Sequence, residues 1–488
     1  MTEFNVAELR STIADLQTDH DASGEMTPEV GEVFAPRQHA SALAPSTQVV
    51  VGARGAGKSF WAGVLGKDET RLLAAQVYPA VGLESLIVRF GYTGLSGKTA
   101  VNRQTIDSRV KSGDHDTAVV FWRSVILRAS MHAINDPRGD MPIAALMGQL
   151  NDPELFEREF QIIDDSLSGK KKVALVIFDA LDTLSNNWSR LTSLTDALFE
   201  AVWSLRAYKS IKAKIFIRPD QLNDEGLKFV ELPKLRNGRV ELHWTRKDLY
   251  GCLYSRIYEA EQRANRTDFE RLTFLERAPA PKSNSDRLRH WGLILFEERQ
   301  KKVMERLSGL YMGNASNKGA TYPWTYNHLA DAKGVVTPRS FLRLFVEAAR
   351  LTQEHATLTL TPDAIRHGLR QASKTRVEQL ALEYAWIKRA LAPLAGLKVP
   401  CHRTEIHNLW QQSNTVETIA KAARDEGFLP PYRHHDDTDG EHALEVALER
   451  IGVLSYRPDG RADIPDLFRI AARMFKLGGV ALHEKKKK

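Results

Sequence analysis

The sequence predicts an α/β protein with a parallel sheet at its core, a helical lid region after it, and a C-terminal domain of helices and a winged-helix pattern. Three observations lead to this fold class. A glycine-rich segment at residues 52–59 directly follows an apolar run at 48–51, a second apolar run at 173–178 ends in Asp179, and after residue 250 the chain takes on helical periodicity. Continuous β-branched and aromatic runs are typical of strands that are buried on both faces of a parallel sheet.

The glycine-rich segment fits the pattern G-x-x-x-x-G-K-[ST]. Gly52, Gly55 and Gly57 let successive backbone N–H groups turn inward around a phosphate, and a helix that begins beside them adds its positive end. In this pattern Lys58 reaches the β- and γ-phosphates, and the hydroxyl of Ser59 ligates Mg²⁺. The segment therefore predicts binding of ATP or GTP with Mg²⁺. The alternative is a strand-to-helix turn that binds no ligand.

The apolar run at 173–178 predicts a second strand, which brings acidic residues to the same place. Asp179 stands at its C-terminal end, where a carboxylate can hold the Mg²⁺ shell. Asp182 follows three residues later, close enough to face the γ-phosphate. The alternative is an ordinary core strand that ends in a helix N-cap, a role that an aspartate or Thr183 would also fill.

A third apolar run, at 211–217, ends in Arg218, Pro219 and Asp220. We expect the end of this strand to lie beside the ends of the other two. A guanidinium there suits phosphate recognition, because it donates several hydrogen bonds in a fixed geometry. An ordinary surface turn is an equally open interpretation, since Arg-Pro-Asp also opens turns.

Together these segments resemble the AAA+ and STAND group of P-loop ATPases, which includes origin-recognition ATPases and NACHT-type switch proteins. The resemblance covers roughly residues 30–350 and implies a P-loop NTPase core that binds ATP and Mg²⁺. It implies that Asp179 is the Mg²⁺-associated acid and that Asp182 is the base or the group that orients water. It also implies that Arg218 is the arginine at the sensor-one position.

Two further segments carry the resemblance beyond the three strands. Residues 32–37, which contain Phe34, are similar to the short segment that covers the adenine in these families. Residues 337–342 resemble the Pro-Arg start of a sensor-two helix, and Arg339 is the arginine in it. The resemblance thus implies that Phe34 and Arg339 bind the nucleotide.

One departure from the wider class bears on activity. Most members have a glutamate directly after the first acid, where it activates water, whereas this chain has Ala180. We therefore expect slow hydrolysis. Arg236 and Arg239 are placed plausibly for an arginine finger, but a solvated basic loop is the preferred interpretation of both.

The order of segments predicts four regions. They are a polar N-terminal segment at 1–30, the P-loop core at 31–250, a helical lid region at 251–375, and a helical and winged-helix domain at 376–488 that ends in a basic tail. Within the core, residues 117–127 predict a helix packed on the sheet.

The winged-helix prediction rests on residues 443–465, where a helix, a glycine, a short strand, a Pro-Asp-Gly turn and a second extended run follow one another. Winged helices bind DNA in many proteins, and Arg457 and Arg461 mark the wing here. They also serve as packing modules, so DNA contact remains open. A nearby run, His434, His435, Asp436, Asp437 and Asp439 with His442, is interpreted as a polar loop because its spacing matches no defined metal site.

Composition limits the location and the partners. The 488 residues carry a net charge of +7 and are 43% hydrophobic, and no apolar run approaches the ~20 residues that a membrane helix needs. The start of the chain has no basic and apolar signal sequence, and Cys252 and Cys401 are far apart. We expect a cytoplasmic protein without a membrane partner.

Three functions are compatible with these residues. The first is a regulatory ATPase switch that acts with a protein partner or with further copies of itself; the resemblance implies a type often found in bacterial anti-phage and other conflict systems. The second is a DNA-binding ATPase of the origin-recognition or DNA-remodelling type. The third is a scaffold that nucleotide stabilises, in which Ala180 reflects lost catalysis.

Overall fold

The computed structural model describes residues 4–149, 152–224, 226–431, 440–477 and 479–482. The chain divides into two compact units. One is Asp19–His243, and the other combines Met1–Thr18 with Trp244–Lys488. Among the described residues, no helix has the length and apolar character that crossing a membrane requires.

The first helix, α1 (Val6–Ala14), belongs to the second of these units. It buries Leu9 and Ile13, and the guanidinium of Arg10 donates hydrogen bonds to the carbonyls of Thr359 and Leu358, at 3.0 and 2.8 Å. These contacts fix the helix in the packed body of its unit. The sequence predicts only a polar segment here, because an arginine that is buried against distant carbonyls cannot be told from a surface arginine in the sequence.

The unit Asp19–His243 is an α/β structure with one parallel sheet. Its helices and strands are α2 (Ala40–Leu43), β1 (Val49–Val51), α3 (Lys58–Gly66), α4 (Asp68–Val77), β2 (Leu86–Tyr92), α5 (Arg103–Arg109), α6 (His115–Ala133), α7 (Ile143–Gln149), α8 (Pro153–Gly169), β3 (Val173–Phe178), α9 (Trp188–Ser204), β4 (Ile211–Ile217), α10 (Pro219–Leu222), α11 (Leu232–Asn237) and β5 (Val240–Glu241).

The five strands form one parallel sheet in the order β2-β3-β4-β1-β5. Strand β4 therefore lies between β1 and β3, with Val51 opposite Ile217 and Phe178 opposite Ile215. The three predicted strands and their adjacency are confirmed. In a parallel sheet the carboxyl ends of neighbouring strands meet at one edge, which brings the residues after β1, β3 and β4 together.

The core of this unit is built from β3, β4 and the helices α6 and α9. Helix α6 contains the predicted helical stretch 117–127, and Trp122 in it is fully buried, with its indole N–H donating to the carbonyl of Leu194 at 2.9 Å. Strand β2 includes Gly91, where a Cβ would lie 2.4 Å from the ring of Phe178. Only glycine leaves room there for the aromatic residue that ends β3.

A buried lysine fixes the loop that leads into β1. Lys214 of β4 has no exposed surface, and its ammonium donates to the carbonyls of Ala42, Ala44 and Thr47 at 2.8, 2.9 and 2.6 Å. Burial lowers the pKa of Lys214 to about 7. Three carbonyl acceptors offset part of the cost of burying the charge, and they hold the chain just before β1.

The second unit is predominantly helical. After α1 its elements are α12 (Arg246–Arg263), α13 (Asp268–Leu275), α14 (Asn284–Arg289), α15 (Gly292–Leu295), α16 (Glu297–Ser308), α17 (Thr321–Leu329), α18 (Pro338–Leu351), α19 (Pro362–Glu383), α20 (Ile387–Leu391), β6 (Lys398–Val399), α21 (Arg403–Gln412), α22 (Thr415–Glu426), α23 (Gly440–Arg450), β7 (Ser455–Tyr456), β8 (Ala462–Asp463), α24 (Asp466–Arg469) and β9 (Phe475–Lys476).

Strands β7 and β8 form the predicted antiparallel hairpin, with Tyr456 opposite Ala462. Its turn contains Gly460 at φ 80°, a left-handed conformation that suits glycine. The polar run that contains His434, His435, Asp436, Asp437 and Asp439 lies outside the described residues, as does the basic tail at 485–488.

Candidate nucleotide site

The glycine-rich loop connects β1 to α3 and has the backbone that its sequence predicts. Gly55 and Gly57 adopt φ values of 84° and 102°, which side-chain-bearing residues rarely reach. At Gly52 an added Cβ would lie 3.1 Å from the side chain of Ala56. The glycines therefore permit a tight turn that ends where Lys58 begins the helix α3.

The ammonium of Lys58 lies inside this turn. It donates to the carbonyl of Gly52 at 2.7 Å and to that of Ala53 at 3.3 Å. Helix α3 begins at the same residue, so its first backbone N–H groups and the ammonium belong to one short segment. This combination of an oriented lysine and a helix N-terminus favours a bound phosphate.

Asp179 is the buried acid of the site. Its side chain is only 1% exposed, and burial raises its pKa, while hydrogen bonding to Ser59 and the charge of Lys58 oppose that rise. The oxygen Oδ1 of Asp179 is buried and has no hydrogen-bond partner in the structure. A buried acceptor without a partner costs free energy, so this atom suits a cation that would complete its coordination.

A strained turn follows Asp179. Ala180 has φ 55°, a left-handed conformation that costs an L-residue roughly 1–2 kcal/mol. The hydroxyl of Thr183 donates to the carbonyl of Ala180 at 2.8 Å, so the hydroxyl of Tyr92, at 2.8 Å, is the donor to Thr183. These bonds hold the turn. Thr183 therefore has a structural role in this turn.

Asp182 joins a cluster of charged side chains at the strand ends. Its Oδ2 atom lies 3.3 Å from Nη1 of Arg218 and 3.7 Å from Nη2 of Arg54. Asp220 also holds Arg218, through contacts of 3.0 and 2.5 Å to Nε and Nη2. The structure thus brings Asp182 and Arg218 together, as their positions after β3 and β4 predict.

Arg54 and Asp220 are site residues to which the sequence assigned no role. Arg54 occupies a variable position of the glycine-rich pattern, and any residue type is permitted there. Asp220 belongs to an Arg-Pro-Asp turn, where an aspartate is ordinary. Only the folded arrangement shows that Arg54 contacts Asp182 and that Asp220 contacts Arg218.

The other two predicted residues are Phe34, in the α/β unit, and Arg339, in the helical unit. Phe34 is 3% exposed and stands two residues before Pro36, whose carbonyl accepts a hydrogen bond from Tyr78 at 2.6 Å. Arg339 is the second residue of α18, in the helical unit. The nucleotide-binding roles of Phe34 and Arg339 stay predictions.

The two candidate finger arginines donate hydrogen bonds to backbone carbonyls of the same unit. Arg236 donates to the carbonyl of Leu222 at 2.9 Å, and Arg239 donates to the carbonyl of Arg236 at 2.7 Å. Neither contact gives these arginines a catalytic role within this chain.

The residues present fit a magnesium nucleotide. The glycine turn, the ammonium of Lys58 and the helix start can receive phosphates, while the hydroxyl of Ser59 and the partnerless Oδ1 of Asp179 are the oxygen ligands that Mg²⁺ prefers. In the part of the chain that the structure describes, no group of three or more His, Cys, Asp or Glu side chains is arranged to hold a metal ion. A magnesium ion here would therefore share its coordination with nucleotide oxygens and water.

Comparisons with known proteins add little to this geometry. No family model matches the chain, and no curated protein matches it. A search of solved structures finds similarity to the Aeropyrum pernix ORC2 protein, determined as ADPNP–ADP complexes, with a TM-score of 0.32 and 14% identity over 91% of this chain and 92% of that chain. Similarity at this level establishes neither the family nor the function.

Proposed function

We propose that this chain binds ATP with Mg²⁺ at the glycine-rich loop, hydrolyses it slowly, and acts as a regulatory switch for a protein partner. The observation that carries the proposal is the buried, partnerless Oδ1 of Asp179 beside Ser59 and Lys58. This arrangement leaves a carboxylate oxygen without a ligand where a phosphate-binding loop begins its helix.

Each residue has a definite task in this proposal. The turn at Gly52, Gly55 and Gly57 presents backbone N–H groups to the phosphates, and Lys58 exchanges its carbonyl contacts for phosphate oxygens. Ser59 and Asp179 hold Mg²⁺, which when bound neutralises charge on the phosphate oxygens.

Slow turnover follows from the position of the second acid. Ala180 offers no carboxylate, so Asp182 is the remaining candidate to orient water, and its Oδ2 already contacts Arg54 and Arg218. Both guanidiniums can bind phosphate oxygens as well as carboxylates. We infer that exchange of these partners links the state of the nucleotide to the ends of β3 and β4.

The partner of the proposed switch is a protein or a further copy of this chain. A switch that passes its state to a protein, or to further copies of itself, fits this site, because an arginine finger can be supplied by another molecule. A role in anti-phage defence rests only on the sequence resemblance, and a cytoplasmic location rests on the composition. ATP binding through Phe34 and Arg339 belongs to the same proposal.

DNA binding is the second candidate, and the hairpin β7–β8 is the observation that favours it. Both of its marked arginines are, however, paired within the hairpin: Arg457 with Asp463 and Arg461 with Asp459, each at 2.7 Å. Such pairing lowers the positive charge that the hairpin presents to a phosphate backbone. The winged-helix interpretation of residues 376–488 is part of this second proposal.

Phosphate release with Mg²⁺ and ATP, measured with and without duplex DNA, separates these functions. A Lys58→Ala variant is the control for contaminating activity. We expect slow release that is lost in Lys58→Ala and that duplex DNA does not change. Stimulation by DNA would support the second candidate instead, and tight ATP binding without any release would support the scaffold.

A further inference from the structure

A basic cavity lies within the helical unit. It has a volume of about 620 Å³ and is formed by helix α19 and the segment that follows α24. Four of the described residues that line it are basic: His367, Arg370, Lys374 and Arg473. None of the described lining residues is acidic. The three basic residues of α19 are spaced by three and four positions, which places them on one face of the helix.

Two basic side chains of the cavity lining differ from Arg457 of β7–β8 and Lys476 of β9, which are paired with a carboxylate. Asp463 holds both Arg457 and Lys476, at 2.7 and 3.0 Å. Across the ranges that the structure describes, Lys374 and Arg473 have no carboxylate within ion-pair distance. Two positive charges in the cavity wall are therefore available to an anion from solution.

The wall opposite α19 is held in place by a buried arginine. Arg469 is 1% exposed, and its guanidinium donates to the carbonyls of Met474 and Val480 at 2.8 and 3.0 Å. The segment is also fixed to α19, because the backbone N–H of Ala471 donates to the hydroxyl of Ser373 at 3.0 Å. The cavity is thus built before any ligand arrives, which lowers the entropic cost of binding.

We propose that this cavity is a binding site for a small organic molecule that carries two or more phosphate charges. The phosphates would lie on the basic side chains, because guanidinium and ammonium groups recognise phosphate oxygens. The remainder of the ligand would lie against Ile470, Ala471 and Leu482, the apolar part of the lining. The volume is in the range of small-molecule sites and is too small to hold a nucleic-acid duplex.

The test uses inorganic pyrophosphate as the probe and the Lys58→Ala chain as the protein, so that the glycine-rich loop does not contribute. Calorimetric titration at constant ionic strength should show saturable binding. The added double change Lys374→Glu and Arg473→Glu should weaken that binding at least tenfold. The matched control is Lys421→Glu with Arg424→Glu, two exposed residues of α22 that do not line the cavity, which changes the net charge equally.

Three outcomes would overturn the proposal. The first is the absence of saturable pyrophosphate binding, and the second is equal weakening of that binding by the α22 control. The third is that the double glutamate variant loses binding to a 20-base-pair duplex while its pyrophosphate binding is unchanged. The last would identify a nucleic-acid surface instead. If thermal unfolding shows that the double glutamate variant does not fold, Lys374→Gln with Arg473→Gln replaces it, and its pyrophosphate affinity should also fall.

Discussion

Asp182 and Arg218 meet at the carboxyl ends of β3 and β4, with Oδ2 and Nη1 3.3 Å apart. The same guanidinium is held by Asp220, and Arg54 of the glycine-rich loop approaches the same oxygen of Asp182 at 3.7 Å. Three segments that are far apart in the sequence therefore share one network of charges. We infer that this network, rather than a glutamate after Asp179, connects the nucleotide site to the strand ends.

The first prediction concerns Asp182. Asp182→Asn should keep ATP binding and lower the rate of phosphate release by about 100-fold or more, because an amide cannot accept a proton from water. Asp220→Asn is the matched control, since it removes a carboxylate from the same arginine without touching the proposed base. Normal turnover in Asp182→Asn would show that its role is assigned wrongly.

The second prediction concerns Asp179, the buried acid beside Ser59. Asp179→Asn should bind ATP but lose turnover, and Mg²⁺ should no longer strengthen its ATP affinity, because the neutral amide is a poor ligand for a hard cation. Titrations of ATP with and without Mg²⁺ check this. If magnesium strengthens ATP binding equally in both proteins, Asp179 does not hold the ion.

The third prediction concerns the loop before β1. Lys214→Met should lower the free energy of unfolding by roughly 2–4 kcal/mol, because the carbonyls of Ala42, Ala44 and Thr47 lose their donor. Lys212→Met on the same strand is the control, since Lys212 donates to a single carbonyl, that of Tyr208. Urea unfolding of both variants measures the difference, and equal losses would refute the role of Lys214.

The fourth prediction is a pH dependence in the helical unit. Burial raises the pKa of Glu261 to about 7, and its Oε2 accepts from the backbone N–H of Phe269 at 2.6 Å. A raised pKa means that the folded state binds the proton more tightly than the unfolded state does. The stability due to the protonated carboxyl is therefore complete below pH ~4.5 and is lost as the pH rises through about 7.

Glu261→Gln removes this titration. The free energy of unfolding of the natural chain should fall between pH 5 and pH 8. In the variant this fall should be smaller by roughly 1–2 kcal/mol. Glu298→Gln, at an exposed position, should show no such trend. Denaturant unfolding at the two pH values decides the matter, and a difference that does not depend on pH would contradict the assignment.

The parts of the fold that the sequence predicts are those with a local cause. Strands β1, β3 and β4 are continuous apolar runs, and the glycines at 55 and 57 mark the turn after β1. Strand β2 was not predicted, because Arg89 and Gly91 interrupt its apolar pattern. Gly91 is required there by the ring of Phe178, which belongs to a distant segment.

The same distinction applies to the site. Lys58 and Ser59 follow from the glycine-rich pattern and Asp179 from the end of an apolar strand, because the chemistry of each pattern fixes the residue types. Arg54 and Asp220 acquire their contacts only when β1, β3 and β4 are aligned, so no local pattern identifies them. Lys214 stands in an apolar run as a charged residue, and its three carbonyl partners come from a loop about 170 residues earlier, as the separations of 172, 170 and 167 show.

The central claim is that the glycine-rich loop binds ATP with magnesium. The most direct measurement is an equilibrium titration of the purified chain with ATP and Mg²⁺, beside Lys58→Ala. We predict saturable binding by the natural chain and at least a hundredfold weaker binding by the variant, because the proposal requires the ammonium of Lys58 to contact the phosphates. Equal affinity in the two proteins, or no binding by either, would contradict the claim.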